Sequence, residues 1–74
     1  MTNASLHSDQ HLSEQLAALG STTDVASAAP FLGITSNTGY ELIKRGEWPT
    51  RILRMGRKIR IPVADLARVL GVEL

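Results

Sequence analysis

Seventy-four residues, 43% of them hydrophobic and none cysteine, allow one small domain held by packing alone. Full disorder, a disulfide framework and a thiolate zinc site are thereby excluded. The formal net charge is only +1, but seven of the eight Lys and Arg fall between Lys44 and Arg60, with Glu47 the one acid among them, and the first 43 residues hold neither Lys nor Arg. A positive patch on a near-neutral small protein is the electrostatic footprint of a polyanionic partner.

Residues 1–20 are rich in Ser, Asn, Gln and His and read as a mostly mobile tail, with a short helix admitted from Ser13 to Leu19 and ending at Gly20. The folded domain is expected over 21–74. Its first helix has Asp24 as N-cap, Val25, Ala28, Ala29 and Leu32 on one face at i, i+3, i+4 and i+7, and Gly33 as terminator. Pro30 falls late in that helix, where it removes the bond to the Ala26 carbonyl and predicts a kink at a cost of about 3 kcal/mol unless packing compensates. A second helix over 35–45 has Thr35 as N-cap and Gly46 as stop, with Tyr40 and Ile43 turned inward. Gly39 inside it costs roughly 1 kcal/mol relative to Ala, which predicts a close crossing with the Ala28 and Ala29 face.

In the second half of the run Arg51 to Ile61 basic residues alternate with β-branched ones, the period of a half-buried strand, and Met55-Gly56 supplies a turn. The result is a hairpin whose tip and outer face carry Arg54, Arg57, Lys58 and Arg60. Pro62 opens a last helix with Val63, Leu66, Val69 and Leu70 as its apolar set and Gly71 as stop. The fold class is therefore mainly α with a small β-hairpin, in the order helix, helix, two-stranded wing, helix: a winged helix-turn-helix.

In that layout the second helix fits the roughly 12 Å major groove of double-stranded DNA while the wing grips the backbone. Asn37 suits a bidentate contact with adenine, and Ser36 and Thr38 can bond phosphate or base. Lys44 and Arg45 hold phosphates at the far end of the helix, and Arg51, Arg54, Arg57, Lys58 and Arg60 bring charge on a stiff ribbon. Glu41 can accept from cytosine, but pairing with Lys44 or Arg45 at i+3 or i+4 is the favoured reading. Trp48 beside Pro49 reads as a hydrophobic plug between hairpin and helices rather than a stacking platform.

Three stretches together, Val25-Ala26-Ser27-Ala28-Ala29-Pro30-Phe31-Leu32-Gly33-Ile34, Tyr40-Glu41-Leu42-Ile43-Lys44-Arg45-Gly46-Glu47-Trp48-Pro49 and Leu53-Arg54-Met55-Gly56-Arg57-Lys58-Ile59-Arg60-Ile61-Pro62, resemble the excisionase family of recombination directionality factors. These winged-helix proteins are close to the DNA-binding heads of MerR-type regulators. The resemblance covers residues 24–70 and departs from the family pattern at Pro30 and Gly39. It implies a phage or mobile-element protein of the bacterial host cell or nucleoid. Such a protein binds repeated sites beside neighbouring copies of itself, bends the DNA and assists an integrase toward excision.

A small transcriptional regulator of the same fold is the near alternative, and a protein-interaction module with a basic docking hairpin is the alternative from another class. No apolar run approaches the roughly 18 residues of a membrane span and the first residues lack the pattern of a signal peptide, so a cytoplasmic protein without membrane contact is expected. No Gly-rich phosphate loop, nucleophile elbow or paired carboxylate set occurs, so neither catalysis, a cofactor nor a small-molecule substrate is expected. His7 and His11 stand at i and i+4 near Asp9, a spacing that binds metal only on an ordered helix, and no metal site is expected there.

Overall fold

The computed structural model describes residues 11–74 and contains four helices and a three-stranded antiparallel sheet, with about half of the chain helical. Helix α1 includes residues 11–18 and ends at Gly20, whose φ of 91° is open to glycine at little cost. Leu12, Leu16 and Leu19 follow one another at i, i+4 and i+7. Leu16 is fully buried in the same cluster as Val25, Ile61 and Leu66, with Leu12 and Leu19 packed against it. The short helix admitted from Ser13 to Leu19 thus reaches back to residue 11, and its apolar face packs against the core. Residues 1–10, with His7, lie outside the described residues.

Strand β1, Thr22–Thr23, was not foreseen in the sequence. It runs antiparallel to β3, Lys58–Pro62, with Thr22 opposite Pro62 and Thr23 opposite Ile61. The Val63 amide donates to the Ser21 carbonyl at 2.9 Å and extends the junction. Helix α2, Val25–Ala28, starts where the Asp24 carboxylate accepts from the Ser27 amide at 2.8 Å. Pro30 acts by tightening rather than kinking. Because it has no N–H for the Ala26 carbonyl, the α-helix stops at Ala28 and Ala29–Leu32 continue as a 3₁₀ turn with Pro30 in its first positions. Gly33 closes that turn in the left-handed region, at φ 76°.

Helix α3, Ser36–Arg45, is opened by Thr35, whose hydroxyl oxygen accepts from the Thr38 amide at 3.2 Å. Strand β2, Leu53–Met55, pairs antiparallel with β3: Leu53 opposes Arg60, Arg54 opposes Ile59 and Met55 opposes Lys58. The turn is Gly56-Arg57, one residue later than Met55-Gly56. Gly56 has φ 62° and no non-glycine residue among the described residues has positive φ, the pattern of a type II′ turn with glycine first. Helix α4, Val63–Leu70, follows Pro62 directly, buries Val63, Leu66 and Ala67, and leaves Val69 46% exposed.

The sheet order β1-β3-β2 makes β3 the central strand, and Ile61 on it is fully buried. Ile43 and Trp48 bring α3 and the segment after it into the same cluster, and the Trp48 indole N–H donates to Thr50 Oγ1 at 2.8 Å. Trp48 is a plug, as its neighbours in the sequence indicate.

Leu16→Ala tests the place of α1. Removing a fully buried leucine costs about 2–5 kcal/mol, so urea unfolding should show a loss in that range. A change near zero would return residues 11–20 to the status of a tail.

Candidate functional site

Successive residues of an α-helix turn by about 100°, so the buried pair Gly39 and Ile43 fixes the inward side of α3. The side opposite carries Asn37, Glu41 and Lys44 at i, i+4 and i+7, all exposed. Thr38 and Arg45 lie on one flank of that stripe, and Tyr40 lies on the other. Tyr40 is 47% exposed, which corrects its inward assignment. Ser36 is half-buried, and the Thr38 hydroxyl accepts from the Thr35 hydroxyl at 3.1 Å, so the first turn presents Asn37 most fully.

The hairpin divides its charges between two faces. Residues directly opposed across a ladder project to the same side, so Arg54 shares the face of Ile59, whereas Lys58 and Arg60 share the face of Met55 and Leu53. The single outer face expected for Arg54, Arg57, Lys58 and Arg60 is thus split, because a two-residue turn sets Arg54 opposite an odd-numbered residue, and Lys58 and Arg60 alternate with that residue along β3. Arg57 occupies the second position of the turn, at the tip.

The arginines divide further into those that hold the fold and those that do not. Arg51 Nε is 2.7 Å from Asp65 Oδ2 and its Nη2 is 3.3 Å from Oδ1, a two-pronged ion pair on a carboxylate whose side chain is 4% exposed. Arg68 adds a contact to the same carboxylate at 3.4 Å. Arg51, nominated for the wing, is therefore committed to α4. Arg60 is half-buried, and its Nε and Nη2 donate to the Thr22 hydroxyl and carbonyl at 3.2 and 3.1 Å, tying β3 to β1. Arg45 meets Glu47 at 3.9 Å on the open surface, and not Glu41. Exposed pairs of that kind are weak and screened. Lys44, Arg54, Arg57 and Lys58 are exposed and make no ion pair among the described residues.

A groove of about 340 Å³ runs between α3 and the hairpin, lined by Asp24, Tyr40, Arg57, Lys58, Ile59 and Arg60. It brings the flank of α3 and the hairpin tip to one surface, with Tyr40 as the residue that joins them. Tyr40 was missed because inward and flanking positions of one helix differ by only 60° when counted from Ile43. Its spacing from Asn37 and Lys44, three and four residues away, is the signal that finds it. No family model, curated protein or solved structure matches this chain. A larger hollow of about 590 Å³ is lined by Leu12, Gln15, Ala18, Pro30 and Phe31 and includes none of the nominated residues.

Among the described residues no group of His, Asp and Glu is placed to hold a metal ion, and Gln15 Nε2 donates to the ring Nε2 of His11 at 3.2 Å. No described helix is long and apolar enough to cross a membrane.

The ion pair gives the fold an acid dependence. The charged hydrogen bonds of Arg51 hold the Asp65 carboxyl below its ordinary value of 3.8, against the opposing effect of burial. The Ser27 amide does the same for Asp24. A depressed carboxyl contributes stability that is complete above its ordinary value and is lost as pH falls through the folded value. Asp65→Asn should therefore be less stable than the parent at neutral pH, with the gap narrowing below pH 3.8. Thermal melts across that range decide it, and a gap that stays constant would contradict the ion-pair assignment.

Proposed function

We propose that the chain is a sequence-specific DNA-binding protein of winged helix-turn-helix type, in which α3 reads the major groove and the β2–β3 hairpin is the wing. The observation that carries this reading is the division of the cations. Arg51 and Arg60 are engaged by Asp65 and Thr22, while Lys44, Arg54, Arg57 and Lys58 stand exposed without an ion-pair partner beside a helix stripe of Asn37 and Glu41. Unpaired cations displayed on rigid elements are what phosphate neutralisation requires, because they lose little freedom on binding. An exposed Asn at the start of a helix is the side chain that pairs with adenine in two places. Glu41, with no ion pair among the described residues, is available to accept from a cytosine amino group.

Resemblance to excisionases assigns this binding to DNA bending and to the excision of a phage or mobile element with an integrase. A transcriptional regulator would use the same surface, and an excision assay with a phage-type integrase separates the two. The two helices joined through Gly33 and the hairpin after Trp48 support the winged arrangement, with Gly39 permitting the close approach of the first helix to the second.

The test is a gel-shift titration over a salt series, with DNA from around the gene beside random duplex. Neutralising three to four phosphates gives a slope of about −3 to −4 in log affinity against log salt. Asn37→Ala should lower the preference for particular sites, by about 1–3 kcal/mol at the base it reads. Arg57→Ala should weaken binding to all duplexes alike and flatten the slope by about one unit. Arg51→Ala should lower stability and leave the salt slope unchanged. Binding that is indifferent to salt, or equal losses for Arg51 and Arg57, would turn the reading toward a protein-docking hairpin.

A further inference from the structure

The hairpin displays a second kind of side chain that phosphate binding leaves unused. All three residues of β2 are exposed, and Leu53 and Met55 are 40% and 55% exposed despite being large and apolar. The register sets Leu53 opposite Arg60 and Met55 opposite Lys58, so both apolar side chains share one face of the ribbon with cationic partners. Met55 adjoins the Gly56-Arg57 turn and so stands at the tip, between Arg54 in sequence and Lys58 across the ladder. A two-residue turn keeps that tip narrow and stiff.

Single apolar side chains on a surface are ordinary. Met55 is set apart by its surroundings, because an apolar group with Lys58 and Arg60 on its own face and Arg57 in the adjoining turn fits a partner that is anionic outside and apolar within. A DNA duplex has that section, with phosphates at the rim of the minor groove and stacked bases at its floor.

We infer that Met55 is an apolar wedge that enters the minor groove and leans into the base stack at one step while the surrounding cations hold the phosphates. The inference rests on the DNA-binding reading above and adds a source of specificity to it. Apolar wedges partly unstack a base step and kink the duplex, and pyrimidine–purine steps yield most readily. Methionine suits the task, being unbranched and polarisable enough to follow an irregular opening. Met55 then selects a TA or CA step without a hydrogen bond to any base, at a fixed distance from the bases that α3 reads. Leu53, lower on the same face, broadens the apolar contact once the step has opened.

The experiment is selection from a pool of randomised duplexes by the full chain and by two variants, Met55→Gln, which keeps length and removes apolarity, and Met55→Leu, which keeps apolarity. Met55 is exposed, so circular dichroism should show both variants folded. The parent and Met55→Leu should enrich a pyrimidine–purine step at a constant offset from the α3-read bases, by about fivefold or more. Met55→Gln should retain those bases and lose the step, and duplexes labelled at both ends should show a smaller bend by energy transfer. A Met55→Gln pool identical to the parent's, or a parent pool with no enriched step, overturns the wedge and leaves base reading by α3 standing. Failure of the parent to retain any duplex overturns the DNA-binding reading itself, and the wedge with it.

Discussion

The distance between α2 and α3 is set at Gly39, and the exposed surface of the protein follows from that distance. A Cβ at this position would lie 3.0 Å from Val25 Cγ1, 3.2 Å from Trp48 Cζ3 and 3.7 Å from Ala29 Cβ. The first two contacts are tighter than most packed carbons adopt, so a side chain here would require Val25, which is fully buried, and Trp48, which is held to Thr50 by its indole N–H, to give by a few tenths of an ångström. The absence of a side chain costs about 1 kcal/mol of helix propensity. In return the helix lies flat enough on α2 for Ile43 to reach the core beside Ile61 and Leu66. Once Gly39 and Ile43 point inward the rotation of α3 about its axis is settled, and Asn37, Glu41 and Lys44 face away from the core. The contact that closes the core therefore also aims the helix.

The same economy governs the charges. A domain of this size has few buried apolar groups, so its sheet and last helix are held partly by arginines acting as clamps. Arg51 locks the entrance of the hairpin to α4 through Asp65, and Arg60 locks the central strand to β1 through Thr22. Both clamps sit at the base of the hairpin, which leaves its tip rigidly presented while Arg57 and Lys58 remain uncommitted. Net charge alone, at +1, conceals this division. What matters is which cations have partners, and that is a property of the fold.

Local chemistry made much of the fold legible in the sequence. Asp24 and Thr35 cap their helices through amides three residues on, and Gly33, Gly46 and Gly71 end theirs in the left-handed region, all signals confined to a few residues. The features that escaped sequence reading are those whose causes lie far away along the chain. Thr22–Thr23 become a strand only because β3 offers an edge, Arg51 finds Asp65 across 14 residues, and Arg60 finds Thr22 across 38. Leu12, Leu16 and Leu19 carry a helical period, but a polar stretch around them masks the face until a core exists for it to cover. Tyr40 was misplaced because it stands only about 60° around the helix from Ile43, on the margin of the inward face that Gly39 and Ile43 define. At the candidate site, Asn37, Lys44, Arg57 and Lys58 are exposed as their positions in the pattern imply, whereas Arg51 and Arg60 hydrogen-bond to Asp65 and Thr22.

The central claim is that α3 and the hairpin tip form one DNA-facing surface. Amide chemical-shift mapping during titration with a short mixed-sequence duplex addresses it most directly. The account requires shifts along residues 36–45 and 54–58, with Asn37, Lys44 and Arg57 among the largest, and silence along α1 and the second half of α4. Shifts centred on the hollow of Leu12, Ala18 and Phe31, or no shifts at low salt, would contradict it.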